Sequence, residues 1–272
     1  MTLHEKRERV IERFHDLRSV LVALSGGVDS SVVAALAFEA LKDKAIAVTF
    51  DSPLTPADEV EDAQAVAKVV GINHQVHTFD DLKNESMVSN PPDRCYHCKL
   101  ARFRQARVLA VKLGIEAIVD GSTLSDEGEY RPGLQAIDEL GIISPLRETK
   151  ITKSEARQLA RELQLPVADK SSNSCLATRI PYNELLTRDR LSRIAAAEKA
   201  VRDIIDVDVL RVRDHGNLAR IEVAFEKLPL IQQENVAQQI VEELTALGYE
   251  FVTFDLRGYR FGSFDEESSK TK

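Results

Sequence analysis

The apolar, β-prone run Ser19-Val-Leu-Val-Ala-Leu24, followed by Ser25-Gly26-Gly27-Val28-Asp29-Ser30-Ser31, decides how this chain folds. After the glycines, Val32-Val-Ala-Ala-Leu-Ala-Phe-Glu-Ala-Leu41 has helix-like composition. The glycines therefore sit at a strand-to-helix turn, where backbone N–H groups can close around phosphate oxygens with no Cβ in the way. The hydroxyls of Ser25, Ser30 and Ser31 add donors. No Gly-Lys-Ser/Thr follows, so no lysine is aimed at a γ-phosphate, and the spacing is not that of a dinucleotide fingerprint. Kinase and dehydrogenase readings are disfavoured. Asp29 is out of place in an anion cradle unless a divalent cation lies between carboxylate and phosphates, so it is assigned a Mg²⁺ role.

The strand–helix pattern repeats on either side of this turn. Residues 3–18 carry one apolar stripe at helical spacing. Residues 45–50 read as a strand, 56–70 as a helix, 74–79 as a strand, 100–113 as a helix and 117–120 as a strand. Residues 152–163 read as a helix whose Thr152 and Glu155 form a capping box. The alternation predicts an α/β fold, a doubly wound parallel sheet with helices on both faces. Helix 186–205, strands 209–213 and 218–224, helix 230–247 and strand 251–256 then form a smaller α+β unit. The expected division is 1–183, 184–263 and a polar, disordered tail at 264–272.

The chain has 272 residues, 43% hydrophobic and 29% charged, and a net charge of −8. An acidic chain has no general attraction for a polyanion, which favours a small-molecule substrate over nucleic acid. The charged N-terminus lacks the apolar run of a signal peptide and no stretch reaches membrane-span length, so the expected location is the cytoplasm, away from membranes. Three cysteines, an odd number, do not suggest a disulfide framework.

Cys95-Tyr-His-Cys98 lies just ahead of the helix predicted from residue 100, and Cys175 lies in a polar run between Lys170 and Arg179. Those two cations would favour a thiolate at Cys175. Three chemistries fit three thiols: a structural Zn²⁺ completed by His97 or another histidine, a redox pair, or a [4Fe-4S] cluster with one open iron.

Ser25–Ser31 resembles the signature of the PP-loop ATP pyrophosphatases (adenine nucleotide alpha-hydrolase-like), which include NAD synthetase, GMP synthetase, asparagine synthetase and tRNA thiolation enzymes. The resemblance implies cleavage between the α- and β-phosphates of ATP and transfer of AMP. It places Asp51, Ser52 and Gly121, at two further strand ends, beside the nucleotide.

Several further segments are similar to one subfamily: Cys95–Cys98, 125–134, 144–146, 174–182, 197–199 and 210–213. Together they resemble the LarE family, ATP-dependent sulfur insertases that make the nickel-pincer cofactor of lactate racemase. The likeness covers nearly the whole chain. It implies adenylation of the carboxylates of pyridinium-3,5-biscarboxylic acid mononucleotide, with sulfur displacing AMP to leave thiocarboxylates. In single-cysteine members the residue matching Cys175 gives up its own sulfur. With Cys95 and Cys98 also present, this chain looks like the three-cysteine branch, whose [4Fe-4S] cluster carries an extra sulfide.

Arginine suits carboxylate and phosphate alike, so Arg179, Arg211 and Arg213 are expected to contact the substrate, with Tyr130 and Arg131 helping to orient it. Glu198 and Glu222 read by default as exposed carboxylates. The resemblance implies a homo-oligomer, a hexamer among the forms it allows. Two rivals remain, a tRNA thiolation enzyme of the PP-loop type and a nucleotide-gated Fe–S or metal carrier without turnover.

Overall fold

The computed structural model describes residues 1–127, 132–171, 173–260 and 262–264. The chain runs through α1 (Leu3–Leu17), β1 (Val20–Ala23), α2 (Val28–Leu41), β2 (Ala45–Asp51), α3 (Ala57–Val70), β3 (Asn73–Thr78), α4 (Glu85–Val88), α5 (Arg94–Leu113), β4 (Ala117–Val119), α6 (Pro132–Glu139), α7 (Pro145–Glu148) and α8 (Lys153–Glu162). It continues through α9 (Arg188–Ile204), β5 (Leu210–His215), β6 (Leu218–Val223), α10 (Leu228–Ile231), α11 (Glu234–Ala246) and β7 (Phe251–Phe254). Two units result, Met1–Phe79 with Asp93–Asn173, and Asp80–Pro92 with the chain from Ser174 onward. The linear division at residue 183 gives both 80–92 and 174–183 to the first unit, whereas here they belong to the second.

In the first unit the strands form one parallel sheet in the order β3-β2-β1-β4. Successive β1 side chains point to opposite faces. Val20 and Val22 therefore join the core built with α1, α2, α3 and α8, while Leu21 joins Val48, Ile118, Phe103 and Ala106 beneath α5. Helices thus cover both faces, as the alternation predicts. From β1 the chain steps outward to β2 and β3, then returns to place β4 on the other side of β1. The crevice at the carboxyl ends of β1 and β4 is the switch point at which such sheets take ligands. The capping box foreseen for α8 is present, with Thr152 Oγ1 accepting from Glu155 N at 3.3 Å and Glu155 Oε2 accepting from Thr152 N at 2.8 Å.

Three helices differ from their sequence-based bounds. α2 starts at Val28 rather than 32, with Gly27 at the N-cap position and Asp29 in the first turn, where a carboxylate favours the helix dipole. α5 starts at Arg94 rather than 100, directly after Pro91-Pro92-Asp93, so both cysteines of the Cys-x-x-Cys lie on the helix. Their modest helix propensity, with that of Tyr96 and His97, hid this start. The helix expected over 230–247 is interrupted, Gln233 turning to extended backbone between α10 and α11.

In the second unit β5 and β6 are antiparallel, β7 runs parallel to β6, and α9 and α11 bury Ala197, Val201, Ile240 and Leu244 with the strands' apolar face. Residues 80–92 belong here because the buried Asn90 donates through Nδ2 to the carbonyls of Ile180 (3.1 Å) and Pro181 (2.8 Å), and its own carbonyl accepts from Asn183 N.

Asp214 anchors the β5–β6 turn. It is fully buried and accepts from Arg190, Arg193, the Tyr249 hydroxyl (2.9 Å) and Gly216 N (3.1 Å). Burial alone would raise its carboxyl, but the hydrogen bonds of Arg190 and Arg193 outweigh that and hold it below the ordinary aspartate value. Its contribution to stability is therefore complete above that ordinary value and is lost as pH falls through the lowered folded one. Urea unfolding at neutral pH is expected to show Asp214→Ala costing about 3 kcal/mol, since it leaves two half-buried cations and the Tyr249 hydroxyl without their acceptor. Asp214→Asn is expected to flatten the acid limb of the stability profile.

Candidate functional site

The glycine loop is closed from both sides. Gly26 adopts φ +79°, and a Cβ there would stand 2.2 Å from the Glu59 carbonyl of α3. A Cβ on Gly121, just past β4, would stand 2.6 Å from Ser30 N and 2.8 Å from its Cα. Glycine is required at both positions because backbone meets backbone, which brings the N-terminus of α2 against the end of β4. The loop hydroxyls are largely spent within the loop. Ser25 N donates to Ser30 Oγ (3.1 Å), Gly27 N to Ser25 Oγ (3.3 Å), and Ser30 Oγ and Ser31 Oγ both reach the Gly27 carbonyl (3.1 and 2.7 Å). Ser31 is fully buried, so it shapes the turn, while Ser25 is more open to solvent.

The early start of α5 places Cys95, Cys98, Lys99 and Arg102 at i, i+3, i+4 and i+7, one stripe of the helix. Arg102 donates to Ser52 Oγ (2.7 Å), just beyond the end of β2, and Lys99 Nζ lies 3.7 Å from Asp120 Oδ2 at the end of β4. The stripe that carries both thiols therefore borders the carboxyl ends of the sheet. Asp120 is buried and accepts from Ser122 N and Oγ and from Ser144 Oγ (2.6 Å), which makes it a fixed carboxylate. Sequence reasoning missed Lys99, Arg102 and the hydrogen bonds by which Ser122 and Ser144 fix Asp120. Extending α5 back to the Pro-Pro-Asp start would have revealed the first two by helical spacing.

Cys95 is exposed and Cys98 half-buried in the first unit, while Cys175, half-buried, belongs to the second. His97 Nε2 lies 3.3 Å from Asp93 Oδ2. Among the described residues no three His, Cys, Asp or Glu side chains are grouped to hold a metal ion. Lys170, expected beside Cys175, instead contacts Asp62 and Asp58 of α3 within the first unit.

In the second unit Arg179, Arg211 and Arg213 are buried together with Glu198 and Glu222. The default reading of these glutamates as exposed is thus corrected, because each is tied to guanidinium groups. Glu198 takes Arg179 Nε at 2.8 Å and Nη2 at 3.2 Å, and also Val212 N. Glu222 takes Arg213 through Nε and Nη2 (2.9 and 2.7 Å), and Arg220 at 3.2 Å. Register explains this: Arg211 pairs with Glu222 and Arg213 with Arg220, leaving Glu222 diagonal to Arg213 on one face. Arg211 donates to the Leu210 carbonyl and lies over the Tyr259 ring. Burial first, and then the neighbouring Arg179, push its guanidinium down to about 10. Tyr130 and Arg131 lie outside the described residues.

A glycine loop between strand and helix at the switch point of a parallel sheet marks an α/β protein of the PP-loop class, and the family model described as NAD synthase matches residues 7–170. The chain belongs to that family and, within it, to the LarE group. It is 34% identical over 274 residues to the pyridinium-3,5-bisthiocarboxylic acid mononucleotide synthase of Lactiplantibacillus plantarum, covering 100% of this chain and 98% of that one. It is 38% identical over 268 residues to an uncharacterized protein of Synechocystis, covering 98% of this chain and 100% of the other. It is 29% identical over 250 residues to the tRNA-specific 2-thiouridylase MnmA of Methylorubrum populi, covering 77% of this chain and 63% of that enzyme. Among the described residues no helix is long and apolar enough to cross a membrane.

A methyl group at residue 121 must push the first turn of α2 away from its place. Gly121→Ala is therefore expected to weaken ATP binding at least about tenfold by calorimetry, for a strain of roughly 1–3 kcal/mol. Its melting temperature is expected to fall by only a few degrees.

Proposed function

We propose that the chain is an ATP-dependent sulfurtransferase that converts the carboxylates of pyridinium-3,5-biscarboxylic acid mononucleotide into thiocarboxylates. The observation that carries this reading is a glycine loop closed by backbone on both sides in a chain alike, end to end, to a synthase named for that bisthiocarboxylate. A substrate carboxylate oxygen attacks the α-phosphorus of ATP, the bond from that phosphorus to the bridging oxygen breaks, and pyrophosphate leaves. Sulfur then attacks the acyl carbon, and AMP departs with the original carboxylate oxygen. One C–O bond is exchanged for one C–S bond per ATP.

In this reading Gly26, Gly27 and the first turn of α2 hold the phosphates, with Ser25, Ser30 and Ser31 closing the loop. Asp51, Ser52 and Gly121 border the nucleotide. Asp29 holds Mg²⁺, the ion that makes a carboxylate acceptable at an anion site. Arg211 and Arg213 receive the substrate's phosphate and carboxylates. A bound anion would relieve both the burial and the mutual repulsion that lower Arg211. Tyr130 and Arg131 are proposed to orient the pyridinium.

The donor set fits a cluster in number and softness, with two thiols one turn apart on α5 and a third at Cys175. Cys95, Cys98 and Cys175 would hold it, and when bound a [4Fe-4S] cluster would supply sulfide at its open iron as the sulfur donor. Cytoplasmic location and a homo-oligomer, a hexamer among the forms allowed, belong to the same proposal. Light scattering tests the latter.

AMP and pyrophosphate are expected in equal amounts, one of each per thiocarboxylate formed, by chromatography of single-turnover mixtures. No AMP from ATP with this substrate, or sulfur delivered to tRNA instead, overturns the reading. Asp29→Asn is expected to lower the adenylation rate by roughly 10²–10³-fold.

Cys175→Ser is expected to keep substrate-dependent ATP–pyrophosphate exchange and to yield no thiocarboxylate. Anaerobic reconstitution with iron and sulfide should give repeated turnover at unchanged protein mass. A mass loss at Cys175 equal to H₂S, one per turnover, would replace the cluster with sacrificial sulfur.

A further inference from the structure

Arg179 presents a different geometry from that of a substrate ligand. Its side chain is fully buried, and its planar fork is occupied on one edge by Glu198 of α9. The two N–H groups of its other terminal nitrogen, Nη1, are shared among four acceptors, the Ser174 carbonyl (2.7 Å), Ser174 Oγ (2.9 Å), Thr178 Oγ1 (2.9 Å) and the Cys175 carbonyl (3.2 Å). The Cys175 carbonyl also accepts from Thr178 Oγ1 (2.8 Å) and Thr178 N (3.1 Å). Three donors thus converge on one backbone oxygen, that of the residue bearing the thiol. Cys175 stands at the N-cap position of the 3₁₀ turn Leu176–Arg179, so the arginine that closes the turn also grips its start.

We propose that Arg179, held by Glu198, is the positioning residue for Cys175, fixing the backbone from which the thiol projects, and does not itself contact the substrate. The chain of force runs from α9 through Glu198 to Arg179 and into the 174–178 loop. Glu198 is in turn held by Val212 N of β5, so the loop is referenced to the second unit's sheet as well as to its helix. A guanidinium suits this task where an ammonium does not, since only a planar fork can face a carboxylate on one edge and several carbonyls on the other. Arg211 remains the stronger candidate anion ligand, since Arg213, already paired with Glu222, adds to the same brace through Thr178 O (2.7 Å).

This inference rests on the sulfur-transfer reading, and the two separate by half-reaction. Arg179→Lys, Glu198→Gln and Thr178→Ala are compared with the wild-type full-length chain. Substrate-dependent ATP–pyrophosphate exchange and the KM for the pyridinium mononucleotide are expected within about threefold of wild type. The kcat for thiocarboxylate release is expected to fall at least 50-fold for Arg179→Lys and Glu198→Gln, and about fivefold for Thr178→Ala. A rise in KM with parallel loss of exchange makes Arg179 a substrate ligand and overturns the proposal, as does an unchanged kcat.

A second readout needs no substrate. In iron-free protein, above the ordinary thiol range of pH, the iodoacetamide labelling rate of Cys175 relative to Cys98 is followed by mass spectrometry. The ratio is expected to change at least fivefold in Glu198→Gln and in the milder Thr178→Ala, and an unchanged ratio in a folded variant overturns the positioning role. If wild type makes no AMP with the pyridinium substrate while the labelling ratio still shifts, the function is wrong and the brace stands.

Discussion

Backbone packed against backbone is the constraint on which the first unit depends. α2 begins inside the glycine loop, so its first turn has to fit between α3, at Gly26, and the end of β4, at Gly121. Neither contact leaves room for a side-chain carbon. The reward is a helix N-terminus held in one fixed place with the helix dipole behind it. The serine hydroxyls then lock the turn in place before any ligand arrives. Preorganisation of this kind lowers the ordering cost of binding.

The second unit depends on buried charge. Arg179, Arg213, Glu198 and Glu222 lie in surroundings where an isolated ion would cost several kcal/mol, and they persist because each guanidinium fork meets a carboxylate. Such pairs contribute less to net stability than an apolar core would, but they set direction. Their geometry relates α9, β5, β6 and the 174–179 turn more tightly than interchangeable leucines would. Asp214 does similar work at the other end of β5, where two arginines and a tyrosine converge on one carboxylate.

Much of the α/β architecture could be read directly from the chain. Apolar runs of strand length alternated with helical segments, and Gly-Gly after β1 located the turn into α2. What stayed hidden depended on partners distant in sequence. The start of α5 was masked by weak helix formers, and with it the stripe joining Cys95 and Cys98 to Lys99 and Arg102. Residues 80–92 look like part of the first unit until Asn90 is seen bonded to carbonyls ninety residues on. A charged side chain announces polarity but not burial, so Glu198 and Glu222 read as surface groups although both are buried against arginine forks.

Three donors meet at the carbonyl oxygen of Cys175, and this has a consequence for what can happen at its sulfur. The hold is on the main chain, and the side chain takes no part in it. Whether thiol or thiolate hangs from the β-carbon, the peptide beneath keeps the same anchors. The turn is thus indifferent to the state of the side chain it carries, which can change without unpicking the fold around it.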